Sequence, residues 1–288
     1  MVARFDYSHQ VDRLEAACKW GALSRGRATR YAKLIRELFT GRPRTREHVY
    51  ACNESFEITD IHQLWELHTD RFPGIKTKIC AALNSGSVVT DDERHEASSN
   101  RPRNDAFPFL LGGKLLAVGV EVLAVDGVLA SGQETQWSGD ITIRHEKRIL
   151  DIQCKRPFTN KTIVKLAQEG AKQITDAVQP GVGIIALDLS RTIRPQGKIL
   201  ATRSEDNILN YVDKLLRSTV PPGIVETIKD PKILGLIVFG RVPVMLEEAN
   251  GYVPLSANMT LVVASSHDSH RTPLLEQLTV QLNKHLSV

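Results

Sequence analysis

The chain has few cysteines for its 288 residues: Cys18, Cys52, Cys80 and Cys154 lie far apart, with no Cys-x-x-Cys pair. That scatter points to neither a disulfide framework nor a structural zinc knuckle, so reduced thiols are expected, three of them as core filler. No apolar run approaches the roughly 18–20 residues of a membrane span. The start, Met-Val-Ala-Arg-Phe-Asp-Tyr, lacks a secretory apolar core, and the compartment expected is the cytoplasm. Internal repeats and low-complexity tracts are missing, as are helix-turn-helix, zinc-finger and RNA-recognition signatures of base readout. Gly181-Val182-Gly183 and Leu111-Gly112-Gly113-Lys114 lack the spacing of phosphate- or dinucleotide-binding loops, which disfavours a nucleotide-hydrolysing or redox enzyme. His267-Asp268-Ser269-His270 holds metal donors but reads as a short polar loop ahead of a helix.

With 42% hydrophobic and 24% charged residues, the chain can bury a sizeable core in one large or two modest domains. Periodic apolar positions such as Leu34, Ile35 and Leu38, or Ile61, Leu64 and Trp65, predict a mainly helical accessory region over residues 1–85. Residues 86–103 are polar and turn-rich and read as a linker, followed by a second domain over 104–288. The net charge of +4 is mild, but basic residues crowd the segment 19–46. A helix from Ala28 to Phe39 is expected there, and Arg27, Arg30 and Lys33 either lie along a phosphate backbone or form a solvated basic face. The C-terminal stretch Thr272–Leu286 is helical in pattern, with a leucine stripe at Leu274, Leu275, Leu278 and Leu282 that serves as core or as a homodimer seam.

The segment with the most chemistry is Ser138-Gly139-Asp140-Ile141-Thr142-Ile143, a short charged turn, and Leu150-Asp151-Ile152-Gln153-Cys154-Lys155-Arg156-Pro157. Read as two strands, each has one apolar and one polar face. An antiparallel hairpin centred near Glu146 and Lys147 sets Asp140 opposite Gln153. Opposed side chains stand about 5 Å apart at Cβ and diagonal ones about 7–8 Å, close enough for Lys155 to share a ligand with them. A carboxylate, an amide and an ammonium so grouped suit metal-assisted cleavage of a phosphodiester; the same pattern on a wet hairpin face would carry no chemistry.

The order Asp140, hairpin, Gln153-x-Lys155, Arg156-Pro157 resembles the PD-(D/E)xK nuclease superfamily, in the Gln-x-Lys variant of Mrr-like restriction endonucleases. The flanking segments fit the same order over residues 100–190. A helix opens at Arg103-Asn104-Asp105, capped by Asn104 or Asp105 with Pro108 in its first turn. A strand over Val120–Val125, a helix over Lys161–Val178 and an apolar strand over Val182–Leu187 complete it. The resemblance implies an α/β restriction-endonuclease-like core: a mixed central sheet flanked by helices, which the strands expected over Ile233–Met245 and Asn258–Ala264 extend.

One departure stands out. In the family a glutamate follows the aromatic residue of the first helix and helps hold metal, whereas Pro108 follows Phe107 here. Asp105, Glu121, Asp126 or Glu134 could take that place; Glu121, on the adjoining strand, is favoured as the accessory acid. The chemistry implied is a Mg²⁺ (or Mn²⁺) ion held by Asp140, the Gln153 amide oxygen and the Cys154 main-chain carbonyl, with Lys155 orienting the attacking water or offsetting charge on phosphorus. Gln173 would touch backbone phosphate or position Lys155, or else is a solvated helix glutamine; Arg156 would grip nucleic acid. The function expected is a metal-dependent endonuclease acting on DNA, with RNA open and restriction or defence as an analogy. The alternatives are a degenerate nuclease-like fold that grips nucleic acid without cutting it, and an interaction scaffold using the leucine-rich ends.

Overall fold

The protein is described by a computed structural model over residues 2–4, 6–40, 45–88, 101–135, 137–145, 147–178, 181–193, 200–248, 251–264 and 272–284. The chain divides into two compact units, Phe5–Gly113 and Lys114–Val288, the latter joined by Met1–Arg4. The expected linker 86–103 falls largely outside the described residues, and the division comes later, inside a helix.

The first unit holds helices α1 (Tyr7–Trp20), α2 (Arg27–Glu37), α3 (Arg46–Trp65) and α4 (Ile75–Asn84), and the start of α5 (Arg101–Ala117). Asp6 caps α1 by accepting the His9 N–H at 3.0 Å, and Thr45 caps α3 in a reciprocal box with His48, each satisfying amides that a first helical turn leaves without partners. Trp65, fully buried, packs edge-on against Phe72 with ring centroids 5.3 Å apart. Its indole N–H donates to the Phe109 carbonyl at 2.7 Å, so the largest apolar side chain of this core is also hydrogen-bonded. Because α5 begins at Arg101, Pro108 lies inside the helix rather than in its first turn; the Asn104 carbonyl thereby loses its ordinary helical donor.

The second unit is α/β, built on one mixed sheet flanked by helices. Its strands are β1 (Val2–Arg4), β2 (Glu121–Val125), β3 (Val128–Leu129), β4 (Ile141–His145), β5 (Arg148–Lys155), β6 (Gly183–Asp188), β7 (Leu200–Thr202), β8 (Ile233–Glu248) and β9 (Gly251–Ala264). They run in the order β1-β9-β8-β6-β5-β4-β2-β3, with β7 also pairing β8. The neighbours β5, β6 and β8 are parallel; β2, β4 and β5 pair antiparallel in turn, as do β8, β9 and β1. Parallel central strands are covered on both faces, and every residue of Gly183–Asp188 is buried.

Helix α6 (Ile163–Asp176) crosses from β5 to β6 and buries Ile163, Ala167, Gly170 and Ile174, a spacing of four, three and four residues that defines one helical face. With α7 (Glu205–Thr219) it packs on Ile185, Leu187, Leu236 and Val238. In α8 (Thr272–Lys284), Leu275, Leu278 and Leu282 are buried within the chain itself. The segment Ile233–Met245, expected as strand, lies within the single long strand β8, which pairs with β9 up to Glu248↔Gly251; residues 249 and 250 are outside the described ones.

At Gly183 on β6 an added Cβ would lie 2.2 Å from the Asp151 carbonyl oxygen of β5. No side-chain rotation relieves a clash with main chain, so Gly183→Ala should destabilise the second unit by about 3 kcal/mol or more, the upper part of the range for overpacking, read as a lowered urea midpoint at unchanged m.

Candidate active site

The β4–β5 hairpin has the register Ile141↔Ile152, Thr142↔Asp151, Ile143↔Leu150, Arg144↔Ile149 and His145↔Arg148. Lys147 lies in the turn, in the left-handed region at φ 68°, and Glu146 is outside the described residues. One step past the strand end the same register sets Asp140 opposite Gln153, as the sequence pattern predicts.

At that point β4 stops supplying backbone partners and the Asp140 side chain takes over. Its Oδ2 accepts the Cys154 main-chain N–H at 2.7 Å and stands 3.9 Å from Lys155 Nζ. On its other side, the Asp140 carbonyl accepts the Asp126 N–H at 2.7 Å. Asp140 is therefore fixed from both neighbouring strands while its side chain remains 33% exposed. Along an extended strand the N–H and C=O of one residue project to the same edge, so the Cys154 carbonyl, the expected main-chain ligand, lies on the Asp140 edge too.

Asp151 is the anchor of this turn. It is 1% exposed; its Oδ1 accepts the Thr142 hydroxyl at 2.8 Å, its Oδ2 accepts the Ser138 hydroxyl at 3.1 Å, and it also takes the Gly139 main-chain N–H. A Cβ on Gly139 would come within 2.7 Å of Asp151 Oδ1, so the chain passes this carboxylate only as glycine. Burial raises the Asp151 pKa, opposed by the three hydrogen bonds.

Gln153 is 2% exposed and its Nε2 donates to the Ser138 carbonyl at 3.2 Å. Among the described residues its Oε1 accepts no hydrogen bond, and neither does Asp140 Oδ1. The Lys155 side chain, 15% exposed, passes beneath α6 at Gly170, where a Cβ would meet Lys155 Cε and Gln153 Cβ, each at 3.6 Å. Gln173, one turn further along α6, is exposed.

The structure separates the remaining candidates. Glu121 pairs with Arg144 across the β2–β4 register at the far end of the strand from Asp140, a separation on the order of 13 Å at strand rise, so this favoured accessory acid is not beside the site. Glu134 and Asp105 are exposed. Asp126 is the acid of that set that meets Asp140. Its signal was the Asp126-Gly127 dipeptide between two short apolar runs, a hairpin-turn cue.

The nucleic-acid contacts expected of Arg156 and Arg27 need correction. Arg156 is buried on the sheet face opposite Lys155 and pairs with buried Asp188, whose carboxylate also accepts the Ser190 N–H at 2.9 Å. Arg27 is buried in the helical unit, 3.9 Å from Glu57. Both are too deep to meet a phosphate backbone. Arg30 pairs with Glu47 at 2.9 Å and Arg36 with Glu15, which leaves Lys33 exposed on a helix whose other charges are largely matched.

Burial raises the Asp140 carboxyl above its ordinary range; the Lys155 ammonium and the Cys154 N–H oppose this, and the like charge of Asp126 adds to it. Burial also pushes the Cys154 thiol far up, so a thiolate nucleophile is disfavoured. Among the described residues no three His, Cys, Asp or Glu side chains converge on one point. The donors present are carboxylate, amide and carbonyl oxygens, a set that fits Mg²⁺ or Mn²⁺ and not zinc. No helix among the described residues is long and apolar enough to cross a membrane. No family model, curated protein or solved structure matches the chain.

An acid whose folded pKa lies above its ordinary value costs stability as pH rises through the interval between the two, and the cost is complete above it. Asp140→Asn should therefore raise the melting temperature at neutral pH, with the gain shrinking toward about pH 3, below the ordinary carboxylate range, in melts of both proteins across that span.

Proposed function

We propose that the second unit carries a restriction-endonuclease-like core and acts as a metal-dependent endonuclease that hydrolyses phosphodiester bonds of DNA. The observation that carries this reading is the meeting of Asp140, Gln153 and Lys155 at the open end of the β4–β5 hairpin, on a mixed sheet. Such a catalyst suits the cytoplasm and roles in restriction or defence.

Asp140 Oδ1, Gln153 Oε1 and the Cys154 carbonyl are the oxygens that would hold the cation. A divalent cation held by these oxygens would supply Lewis acidity toward a phosphate oxygen and toward water. Lys155 brings a compact positive charge on a stem packed under α6, suited to orienting the attacking water and to meeting charge that develops on the phosphate oxygens. Cys154 N–H holds Asp140 Oδ2, turning the other carboxylate oxygen outward. The neutral amide of Gln153 supplies no charge, so the centre binds metal more weakly than one with a further acid in its place. The same neutrality favours a second reading, a nuclease-like fold that grips nucleic acid without cutting it.

Supercoiled, linear and single-stranded DNA incubated with Mg²⁺ or Mn²⁺ should be cut by the wild type. Asp140→Ala and Lys155→Ala, matched for fold by denaturation midpoint, should each lower the rate by about 10²–10³-fold, the scale of losing one charge-stabilising group, while Lys155→Ala still binds DNA. Unchanged cutting by both variants would contradict the assignment, and DNA binding with no cutting on any substrate would favour the non-cleaving fold.

A further inference from the structure

We propose that Asp126 is the second carboxylate of this centre and holds a divalent cation jointly with Asp140. The inference rests on the reading of Asp140, Gln153 and Lys155 as a metal-dependent site, and goes beyond it by assigning a ligand from a different strand pair.

Three features of β2 set the position of Asp126. Val122 pairs with Ile143, but Ala124 pairs with Thr142, so Leu123 is an extra residue and the register shifts by one. Without that bulge Val125 would stand opposite Asp140; with it, Asp126 does. A bulge re-aims every side chain beyond it. Next, Val125 pairs with Val128, closing a two-residue turn in which Asp126 and Gly127 both have positive φ, 49° and 73°. That primed turn favours Asn-Gly or Asp-Gly, and the chain has the charged option. Finally, the Asp126 N–H donates to the Asp140 carbonyl at 2.7 Å, which ties the two residues together through main chain.

Like charges set directly opposite on neighbouring strands destabilise a sheet. A cation between them turns that repulsion into coordination, as at other sites where carboxylates are brought together for hard metal ions. The surroundings also point to a ligand. Gln153 is buried on the Asp140 face with its Oε1 accepting no hydrogen bond among the described residues, and Lys155 Nζ makes no hydrogen bond there either, its contact with Asp140 being 3.9 Å.

The test is Mn²⁺ binding to the full, metal-stripped chain, followed by the electron paramagnetic resonance signal of free Mn²⁺ and by the Mn²⁺-induced rise in melting temperature. Asp126→Asn keeps the turn chemistry, so its metal-free melting temperature should equal or exceed that of the wild type, while its Mn²⁺ affinity falls about tenfold or more, at least what losing a supporting group costs. Glu121→Gln, at the far end of the strand, should bind as the wild type does. Wild-type affinity in Asp126→Asn alongside weakened binding in Asp140→Asn would overturn the role of Asp126 and leave the Asp140 centre standing. Mn²⁺ held through Asp126 and Asp140 by a protein that cuts no nucleic acid would support this inference and overturn the nuclease reading; no Mn²⁺ binding by the wild type would overturn this inference.

Discussion

The Cys154 N–H that donates to Asp140 Oδ2 is the contact on which the candidate site depends. Up to Ile141 the two hairpin strands satisfy each other through main chain; beyond it β5 continues alone on that edge, and the Asp140 carboxylate supplies the acceptor that β4 no longer offers. One side chain thus completes the ladder and presents its second oxygen outward. Asp151 makes this possible by gathering Ser138, Gly139 and Thr142 around a single buried carboxylate, since hydrogen bonds to a charged acceptor are the stronger kind. The arrangement has a cost, visible in the raised pKa values of both acids. Functional sites are where such cost is retained.

The two faces of β5 divide the work at its end. Lys155 projects under α6 toward Asp140, while the next residue, Arg156, projects to the other face and pairs with Asp188 at the matching end of β6. Behind the ammonium, therefore, a buried ion pair fastens two parallel strands. Removing Arg156 would leave the Asp188 carboxylate buried without the cation it pairs with, which costs far more than the pair contributes. The close approach at Gly183 and the absence of a Cβ at Gly170 let β6 and α6 pack against the same strand.

How far the sequence carries this picture differs from element to element. The alternation in Ile141–Ile143 and Leu150–Lys155, with a charged turn between, led to the right hairpin register because the apolar side chains of both strands share one face and a slip by one residue would move them to the other. The helix expected over Lys161–Val178 is α6, Ile163–Asp176. The pairing of Val2–Arg4 with β9 was not legible, because it joins the two ends of the chain and no local pattern encodes it. Arg27 and Arg156 were misplaced because a basic residue beside other basic residues reads as surface, whereas their acidic partners, Glu57 and Asp188, lie 30 or more positions away in sequence. Asp126 was passed over in favour of Glu121 because the bulge at Leu123, which sets Asp126 rather than Val125 opposite Asp140, leaves no mark in the pattern of apolar residues.

The proposed site sets the oxygens of Asp140, Gln153 and Cys154 beside a single ammonium, and the proposal is spatial: a cation, a phosphate and Lys155 would meet at Asp140. The most direct test is a crystal structure of the whole chain with a short DNA duplex and Ca²⁺, an ion that occupies such oxygen sites. The account predicts one Ca²⁺ about 2.3–2.6 Å from an Asp140 oxygen, bridging to a backbone phosphate that lies against the Lys155 ammonium. DNA seated elsewhere, with no ion at Asp140, would contradict it.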